Sequence, residues 1–239
     1  MKIWAISDIH LPGEIKRTME FFGNVWNDHP GKIVENWRRI VGTDDIVLIG
    51  GDISWSYKLE GAMRDLNRLA SLPGHSKVII KGNHDIWWKT YQLTKNALPN
   101  SLIALEGNTV KINDQVICGT RGWLAPNDPC FDQLDMNTFQ KELKLLKRSL
   151  DEAVSLNPVL GIHVLMHFPP FTTIGLKTKF FELLKEYPIQ SCIYGHFHLK
   201  KEWRKIPNGM IDGISCQLTS SDYLNHKPIL IWDSAVVVS

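Results

Sequence analysis

The sequence predicts an α/β fold in which two sheets pack together, with helices on their outer faces, in one domain over residues 1–239. Up to about residue 100, short aliphatic runs typical of buried strands alternate with segments of helical apolar periodicity. Beyond residue 101, strand-like runs recur at short intervals and the tail is mostly strand-like. No internal repeat, low-complexity segment or linker interrupts this pattern, so we expect the layers to share one core.

Composition and charge limit the classes of function. Hydrophobic residues make up 44% of the chain and charged residues 22%, as in an ordinary soluble core. The net charge of +2 is too small to indicate binding to a long nucleic acid or to an anionic membrane. No apolar run approaches the ~20 residues of a membrane span, and the N-terminus lacks a signal-peptide pattern. We therefore expect neither a membrane nor a long nucleic acid as partner, and the oligomeric state stays open.

The cysteines indicate a reducing compartment. The chain has four cysteines, Cys118, Cys130, Cys192 and Cys216. Their spacing is typical of neither a metal site nor a disulfide framework, and three of them lie in apolar runs. We expect them to be free thiols, and we expect a cytoplasmic location.

The first part of the chain predicts three strands separated by helical segments. The strands are predicted at residues 2–7, 45–49 and 78–80. Residues 14–41 are predicted to be mostly helical with a break at 27–31, and Ile33, Trp37 and Val41 would share one face. Further helical segments are predicted at 58–70 and from Ile86 onward.

The second part predicts short strands and two helices. Its strands are predicted at residues 102–105, 109–112, 115–118, 163–166, 191–194, 229–232 and 236–238. Asn113-Asp114 is typical of a hairpin turn. An amphipathic helix is predicted over 138–155, capped by Asn137 or Thr138, and a second helix over 177–186.

Polar side chains follow five of the predicted strands. They are Asp8 and His10, Asp52, Asn83 and His84, His167, and His196 and His198. Ligands of open α/β sheets lie just past the carboxyl ends of strands, so we expect these groups to converge. Asp8 and His10 are two residues apart, as are His196 and His198, and alternate residues of an extended segment point the same way. A glycine precedes Asp52, and glycines also precede Asn83 and His196, which allows close backbone approach to a ligand.

The donor set indicates metal binding. Imidazole nitrogen with carboxylate and amide oxygen, without thiolate, suits Mn, Fe, Zn, Co or Ni. The number of donors exceeds the three or four that one zinc ion usually takes, so two ions sharing a carboxylate account for them economically. In such two-metal sites, the metal ions lie ~3.5–4 Å apart and promote in-line displacement at phosphorus.

The ordered blocks DIH, GD, GNHD, the histidine of MHFPP, and GHFH resemble the five motifs of the calcineurin-like metallophosphoesterase superfamily. The resemblance runs from residue 2 to about residue 198. It implies a four-layer α/β/β/α sandwich and a phosphohydrolase, either a phosphatase or a phosphodiesterase. The nucleophile would be a hydroxide that bridges two transition-metal ions, and the substrate a small phosphomonoester or phosphodiester.

The resemblance also implies roles for individual residues. Seven residues would bind the ions. The first ion would be bound by Asp8, His10 and His198, and the second by Asn83, His167 and His196. Asp52 would bind both. His84 would stay off the metals and donate a proton to the leaving oxygen. Asp85 would orient His84, or it could cap a helix beginning at Ile86.

Two further residues are candidate substrate contacts. Arg121 could clamp a phosphate, or it could be an ordinary surface or ion-paired arginine. Trp55 could stack on a nucleobase, or it could be packing at the rim of the core. No arginine follows Asp52 closely, unlike in the protein Ser/Thr phosphatase branch, and residues 11–41 form a longer insertion than many members carry.

The other histidines are interpreted as structural or solvated. We expect a structural role for His163, solvated loop positions for His29 and His75, and no site role for His226. Three other functions stay open, namely a non-catalytic scaffold of the same fold, a nuclease, and a hydrolase of another ester. Complete motif blocks count against the scaffold, and the near-neutral charge counts against the nuclease.

Overall fold

The computed structural model describes residues 1–15 and 19–236, which form two compact units. The first unit comprises Met1–Ala104 and the chain from Thr219 onward, and the second comprises Leu105–Leu218. Each unit contains one sheet rich in parallel strand pairs, together with helices. This mixed α/β architecture confirms the predicted fold class, whereas the single domain over 1–239 stays a prediction.

The strands and helices alternate along most of the chain. The strands are β1 (Lys2–Ile6), β2 (Ile46–Ile49), β3 (Ser76–Ile80), β4 (Leu102–Leu105), β5 (Asn108–Ile112), β6 (Gln115–Thr120), β7 (Ile162–Met166), β8 (Ile189–Tyr194), β9 (Gly209–Ile211), β10 (Ile214–Leu218) and β11 (Ile229–Asp233). The α-helices are α1 (His29–Ile40), α2 (Leu59–Ala70), α3 (Tyr91–Ala97), α4 (Met136–Ser155), α5 (Lys179–Leu184) and α6 (Lys200–Trp203). Short 3-10 helices cover Glu20–Phe22, Asn24–Trp26 and Gln133–Asp135.

The sheet of the first unit has the strand order β11-β1-β2-β3-β4. Strands β1, β2 and β3 are parallel neighbours, and β11 pairs with β1 in the antiparallel sense. All four residues of β2 are buried, as expected for an aliphatic strand covered on both faces. Because the three parallel strands run the same way, the segments that follow them leave from one edge of this sheet.

The sheet of the second unit has the order β5-β6-β7-β8-β10-β9. Its four central strands are parallel, and its two outer pairs are antiparallel. Every residue of β7 is buried, and the loops after β6, β7 and β8 leave from one edge. These loops carry the polar residues that the sequence places after strands.

Helix α1 is shorter than the helical segment predicted over 14–41. It begins at His29, and the residues before it form two 3-10 turns. Part of the prediction, residues 16–18, lies outside the described residues. The predicted inward face is confirmed, since Ile33, Trp37 and Val41 are all buried.

Two other local predictions are wrong. The segment beginning at Ile86 is a turn, and α3 begins only at Tyr91, where the Thr90 side chain accepts a hydrogen bond from the Leu93 backbone N–H. Helix α4 is preceded by a 3-10 turn whose capping box is supplied by Asp132, so neither Asn137 nor Thr138 caps it. The predicted strand over 236–238 falls mostly outside the described residues.

Candidate functional site

Asp8 and His10 lie on the loop that follows β1 in the first unit. Asp8 is fully buried and His10 is 2% exposed. Their backbones have φ values of 55° and 42°, in the left-handed region, so the loop is not extended and the alternation predicted for this pair is wrong. Ligand atoms of the two side chains nevertheless lie within 4.8 Å of each other. The left-handed backbone at both residues, rather than strand geometry, brings them together.

Asp52 follows β2 and also has a left-handed backbone, with φ of 51°. Its carboxylate is 2% exposed and lies within 4.8 Å of that of Asp8, and its Oδ2 is 3.7 Å from His10 Nε2. Two buried carboxylates at this separation repel each other unless a positive charge compensates them. The buried carboxylates are therefore better explained by a cation-binding role than by a purely structural role in the core.

The GNHD loop after β3 is pressed against Asp52. A Cβ on Gly82 would lie 2.0 Å from Asp52 Oδ1, so only glycine fits at this position. The His84 backbone N–H donates to Asp52 Oδ1 at 2.8 Å. Asn83 is half-buried, whereas His84 is exposed. The loop thus fixes the Asp52 carboxylate while it leaves the His84 side chain accessible.

Asp85 is fully buried and has four hydrogen-bond donors. Its Oδ1 accepts from the backbone N–H groups of Ile53 and Ser54 and from Trp87 Nε1, and its Oδ2 accepts from Gly82 N. Burial, together with the nearby Asp52 charge, raises the pKa of Asp85 to about 6.

These contacts correct both expectations for Asp85. No helix begins at Ile86, so the capping role is wrong. Among the described residues, none of its hydrogen-bond donors is the His84 ring. Asp85 therefore ties the GNHD loop to the loop after β2, and it supports His84 through the backbone rather than by holding the imidazole.

Aromatic side chains surround the His10 imidazole. Trp55 stacks on it with ring centroids 4.9 Å apart and an interplanar angle of 17°. Trp26 meets it edge-on at 5.8 Å. Because Trp55 is only 7% exposed, it leaves little ring surface for the nucleobase stacking considered above.

In the second unit, His167 follows β7, and His196 and His198 follow β8. His167 is buried, and the other two are half-buried. His196 Nδ1 lies 3.3 Å from His167 Nε2, and the Phe168 ring packs on His196 with centroids 4.0 Å apart. The φ of 76° at His196 shows that this pair, too, is placed by a turn rather than by strand alternation.

Arg121 follows β6 and has two side-chain partners. Its guanidinium lies 3.3 Å from Glu142 and 4.4 Å from the centroid of the Trp123 ring. The buried Glu142 carboxylate also accepts a hydrogen bond from Thr120 Oγ1. The Arg121 backbone carbonyl accepts from His167 N at 3.1 Å. Arg121 is thus an ion-paired arginine beside a predicted ligand, and its contact with a phosphate stays a prediction.

The remaining histidines divide between buried and exposed positions. His163 is buried between Ser191 and Gln115, which confirms its structural role. His75 is exposed, as predicted. The solvated position expected for His29 is wrong, because it is buried and its Nε2 is 3.0 Å from the His10 carbonyl oxygen. His226 is buried as well.

Two supporting residues were not found from the sequence. Asp65 accepts hydrogen bonds from Gly13 N and Ser54 Oγ, and Ser221 Oγ donates to the Asp8 carbonyl oxygen. Asp65 lies on the buried face of α2, so a carboxylate on an apolar helix face was the available signal. Nothing local marks Ser221, which is 213 residues from Asp8.

Five residues stand out as possible metal ligands: Asp8, His10 and Asp52 in the first unit, and His167 and His198 in the second. They are nitrogen and oxygen donors, which suit borderline transition metals. A cation held by such groups could act as a Lewis acid and lower the pKa of a bound water. No helix among the described residues is long and apolar enough to cross a membrane.

Comparisons with known proteins give one family and two individual matches. The family model described as calcineurin-like phosphoesterase matches residues 1–200. The Gene 66 protein of Mycobacterium phage L5 is 36% identical over 84 residues, which cover 34% of this chain and 39% of that protein. A crystal structure of the protein of unknown function AQ665 from Aquifex aeolicus aligns with a TM-score of 0.48 at 16% identity, covering 96% of this chain and 95% of that one.

Proposed function

Because the chain belongs to the calcineurin-like phosphoesterase family, we propose that it hydrolyses a small phosphomonoester or phosphodiester with the help of two transition-metal ions. The observation that carries this proposal is the buried pair of carboxylates, Asp8 and Asp52, with the His10 imidazole beside them. This set of donors needs a cation to offset its charge, and the family supplies the corresponding chemistry.

Seven residues would hold the ions, as the motif order implies. They are Asp8, His10, Asp52, Asn83, His167, His196 and His198. Asp52 would contact both ions, and the hydrogen bond from His84 N would keep its carboxylate oriented. When bound, the ions would supply Lewis acidity at the phosphoryl group and a nucleophile at neutral pH. The metal could be Mn, Fe, Zn, Co or Ni.

His84 would act on the leaving group. Its imidazole is exposed, whereas its backbone is fixed by Asp52, so the ring is accessible to a substrate without being a ligand. Imidazole is the side chain best suited to give up a proton near neutral pH. His84 would protonate the leaving oxygen, and Arg121 would contact the phosphate. Asp85 would keep the loop of His84 in place.

The substrate would be small, because the near-neutral charge does not favour a long nucleic acid and no membrane contact is expected. The four free cysteines are typical of a reducing compartment, and we extend the proposal to the cytoplasm.

The test is metal reconstitution followed by elemental analysis and a screen of phosphomonoesters and phosphodiesters. We expect about two ions per chain and hydrolysis of at least one substrate class, both abolished by a chelator. Asp52→Asn should lower the occupancy of both sites, whereas the exposed turn variant Asp114→Asn should bind like wild type. Absence of bound metal, or full occupancy in Asp52→Asn, would contradict the ligand assignment. Two ions without any hydrolysis would favour the non-catalytic scaffold.

A further inference from the structure

One buried aromatic side chain in the first unit touches both a proposed metal ligand and the proposed acid. The Trp55 ring stacks on the His10 ring at 4.9 Å with an interplanar angle of 17°. It also meets the His84 ring at 4.7 Å and 51°. The two imidazoles themselves are 5.7 Å apart. Trp55 therefore packs against both imidazoles, that of His10 as a proposed metal ligand and that of His84 as the proposed acid.

The position of Trp55 is fixed by its surroundings. Its backbone N–H donates to the Leu11 carbonyl oxygen at 3.0 Å, which ties the loop after β2 to the loop after β1. Its side chain packs in a small apolar cluster with Met19 and Trp26. Trp26 in turn packs against the His10 ring in a T-shaped arrangement. The insertion after the DIH block thus supplies the packing that holds Trp55 against His10.

We infer that Trp55 is a positioning residue that orients His10 and His84 together, rather than a stacking surface for substrate. This inference rests on the proposed function of the same site. Stacking on an aromatic face restricts the χ angles of an imidazole, so its ligand nitrogen stays aimed at one point. Contact with Trp55 also restricts the exposed His84 ring, which would otherwise exchange between rotamers.

Removing the ring should therefore affect two measurements at once. Metal affinity should fall because the His10 imidazole loses the aromatic face of Trp55 that restricts its orientation. Hydrolysis of esters with poor leaving groups should fall further than that of nitrophenyl esters, because only the former need the proton from His84. A substrate-stacking role would instead raise KM for nucleoside esters and leave metal affinity unchanged.

The experiment compares Trp55→Leu, Trp55→Phe and the matched control Trp232→Leu, since Trp232 is a tryptophan of similar burial at 9% exposure in β11. Cobalt(II) is titrated while its d–d absorption is recorded, and alkyl and nitrophenyl phosphoesters are then assayed. For Trp55→Leu we expect about 10–100-fold weaker binding of one ion and a changed absorption band. Trp55→Phe, which keeps an aromatic face, should restore most of both.

The control should bind cobalt like wild type. Should Trp55→Leu fail to fold, Trp55→Met replaces it, because the flexible methionine side chain adapts to an irregular gap without providing a ring. Wild-type cobalt affinity and an unchanged leaving-group dependence in the ring-less variant would overturn the positioning role and leave the proposed function standing. Absence of cobalt binding in the wild-type protein would overturn both.

Discussion

At the residue scale, His84 holds Asp52 with its backbone and leaves its imidazole exposed. An alanine at this position keeps the backbone hydrogen bond and loses only the ring. The effects of the His84 side chain on catalysis and on metal binding are therefore separable by mutation.

For His84→Ala we expect metal content near wild type and a split in activity. Hydrolysis of alkyl or nucleoside phosphoesters should fall ~10²–10⁴-fold, and hydrolysis of nitrophenyl esters much less, because general acid help matters only for a poor leaving group. Rates across a series of leaving groups measure this, with the exposed His75→Ala as control. An equal loss across the series would reject the acid role, and a loss of metal would place His84 among the ligands.

A second histidine shows how burial sets protonation. His163 Nε2 donates to Gln115 Oε1 at 3.0 Å, and its Nδ1 accepts from Ser191 Oγ at 2.7 Å, so the neutral ring is fully satisfied. Burial lowers the pKa of His163 from 6.5 to about 4. The unfolded chain thus binds a proton at a pH where the folded chain does not.

The resulting stability is fully present above pH 6.5 and is lost as the pH falls toward 4. We expect the free energy of unfolding of wild type to drop by about 3 kcal/mol more than that of His163→Gln over this range. Urea unfolding at several pH values, with metal removed from both proteins, measures the difference. Parallel pH profiles would show that His163 does not titrate in this way.

At the element scale, the end of α2 depends on a lysine from another element. Lys77 in β3 is 1% exposed, and its Nζ donates to the carbonyl oxygens of Ala70, Leu72 and Gly74 at 3.2, 2.6 and 2.9 Å. The ammonium group satisfies carbonyls that the helix leaves unpaired at its C-terminus. Burial lowers the pKa of Lys77, so part of this gain is offset by desolvation.

We expect Lys77→Met to lower the free energy of unfolding by about 1–3 kcal/mol, because three carbonyls lose the ammonium donor while the cost of burying a charge is removed. Chemical denaturation measures this. The exposed Lys111→Met on β5 is the matched control and should stay within about 0.5 kcal/mol of wild type. A neutral or stabilising result for Lys77→Met would mean that desolvation outweighs the hydrogen bonds.

At the scale of the whole molecule, the four cysteines divide into one exposed, reactive thiol and three buried, protected thiols. Cys118, Cys192 and Cys216 are buried in the second sheet, and Cys130 is exposed. Burial raises the pKa of Cys118 and of Cys216 to about 12, and it raises the pKa of Cys192 well above its ordinary value. Their thiolate forms are therefore scarce at neutral pH.

We expect iodoacetamide to label Cys130 alone in the native protein and all four cysteines after unfolding, because only a thiolate reacts. Mass spectrometry counts the labels, and a reducing agent should leave the melting temperature unchanged. An intact disulfide in freshly isolated protein would contradict the free-thiol prediction and with it the proposed cytoplasmic location. Rapid labelling of Cys118, Cys192 or Cys216 in the native protein would instead contradict their protection by burial.

The sequence by itself determined the family and the α/β class, because both depend on local patterns. Aliphatic runs ending in polar residues mark the strand ends, and five blocks in fixed order identify the calcineurin-like family that the match over residues 1–200 confirms. The buried face of α1 was predictable for the same reason, since apolar periodicity is local. The roles of the seven proposed ligands and the identity of the substrate stay predictions.

Only the tertiary structure decided how individual side chains are held. Left-handed backbone at Asp8 and His10 replaced the extended geometry expected for this pair. Asp85 joins two loops by hydrogen bonds, and Trp55 stacks on the His10 ring. Such contacts join residues distant in sequence, and their partners are chosen by packing and by the need to satisfy buried polar groups, which no local pattern encodes.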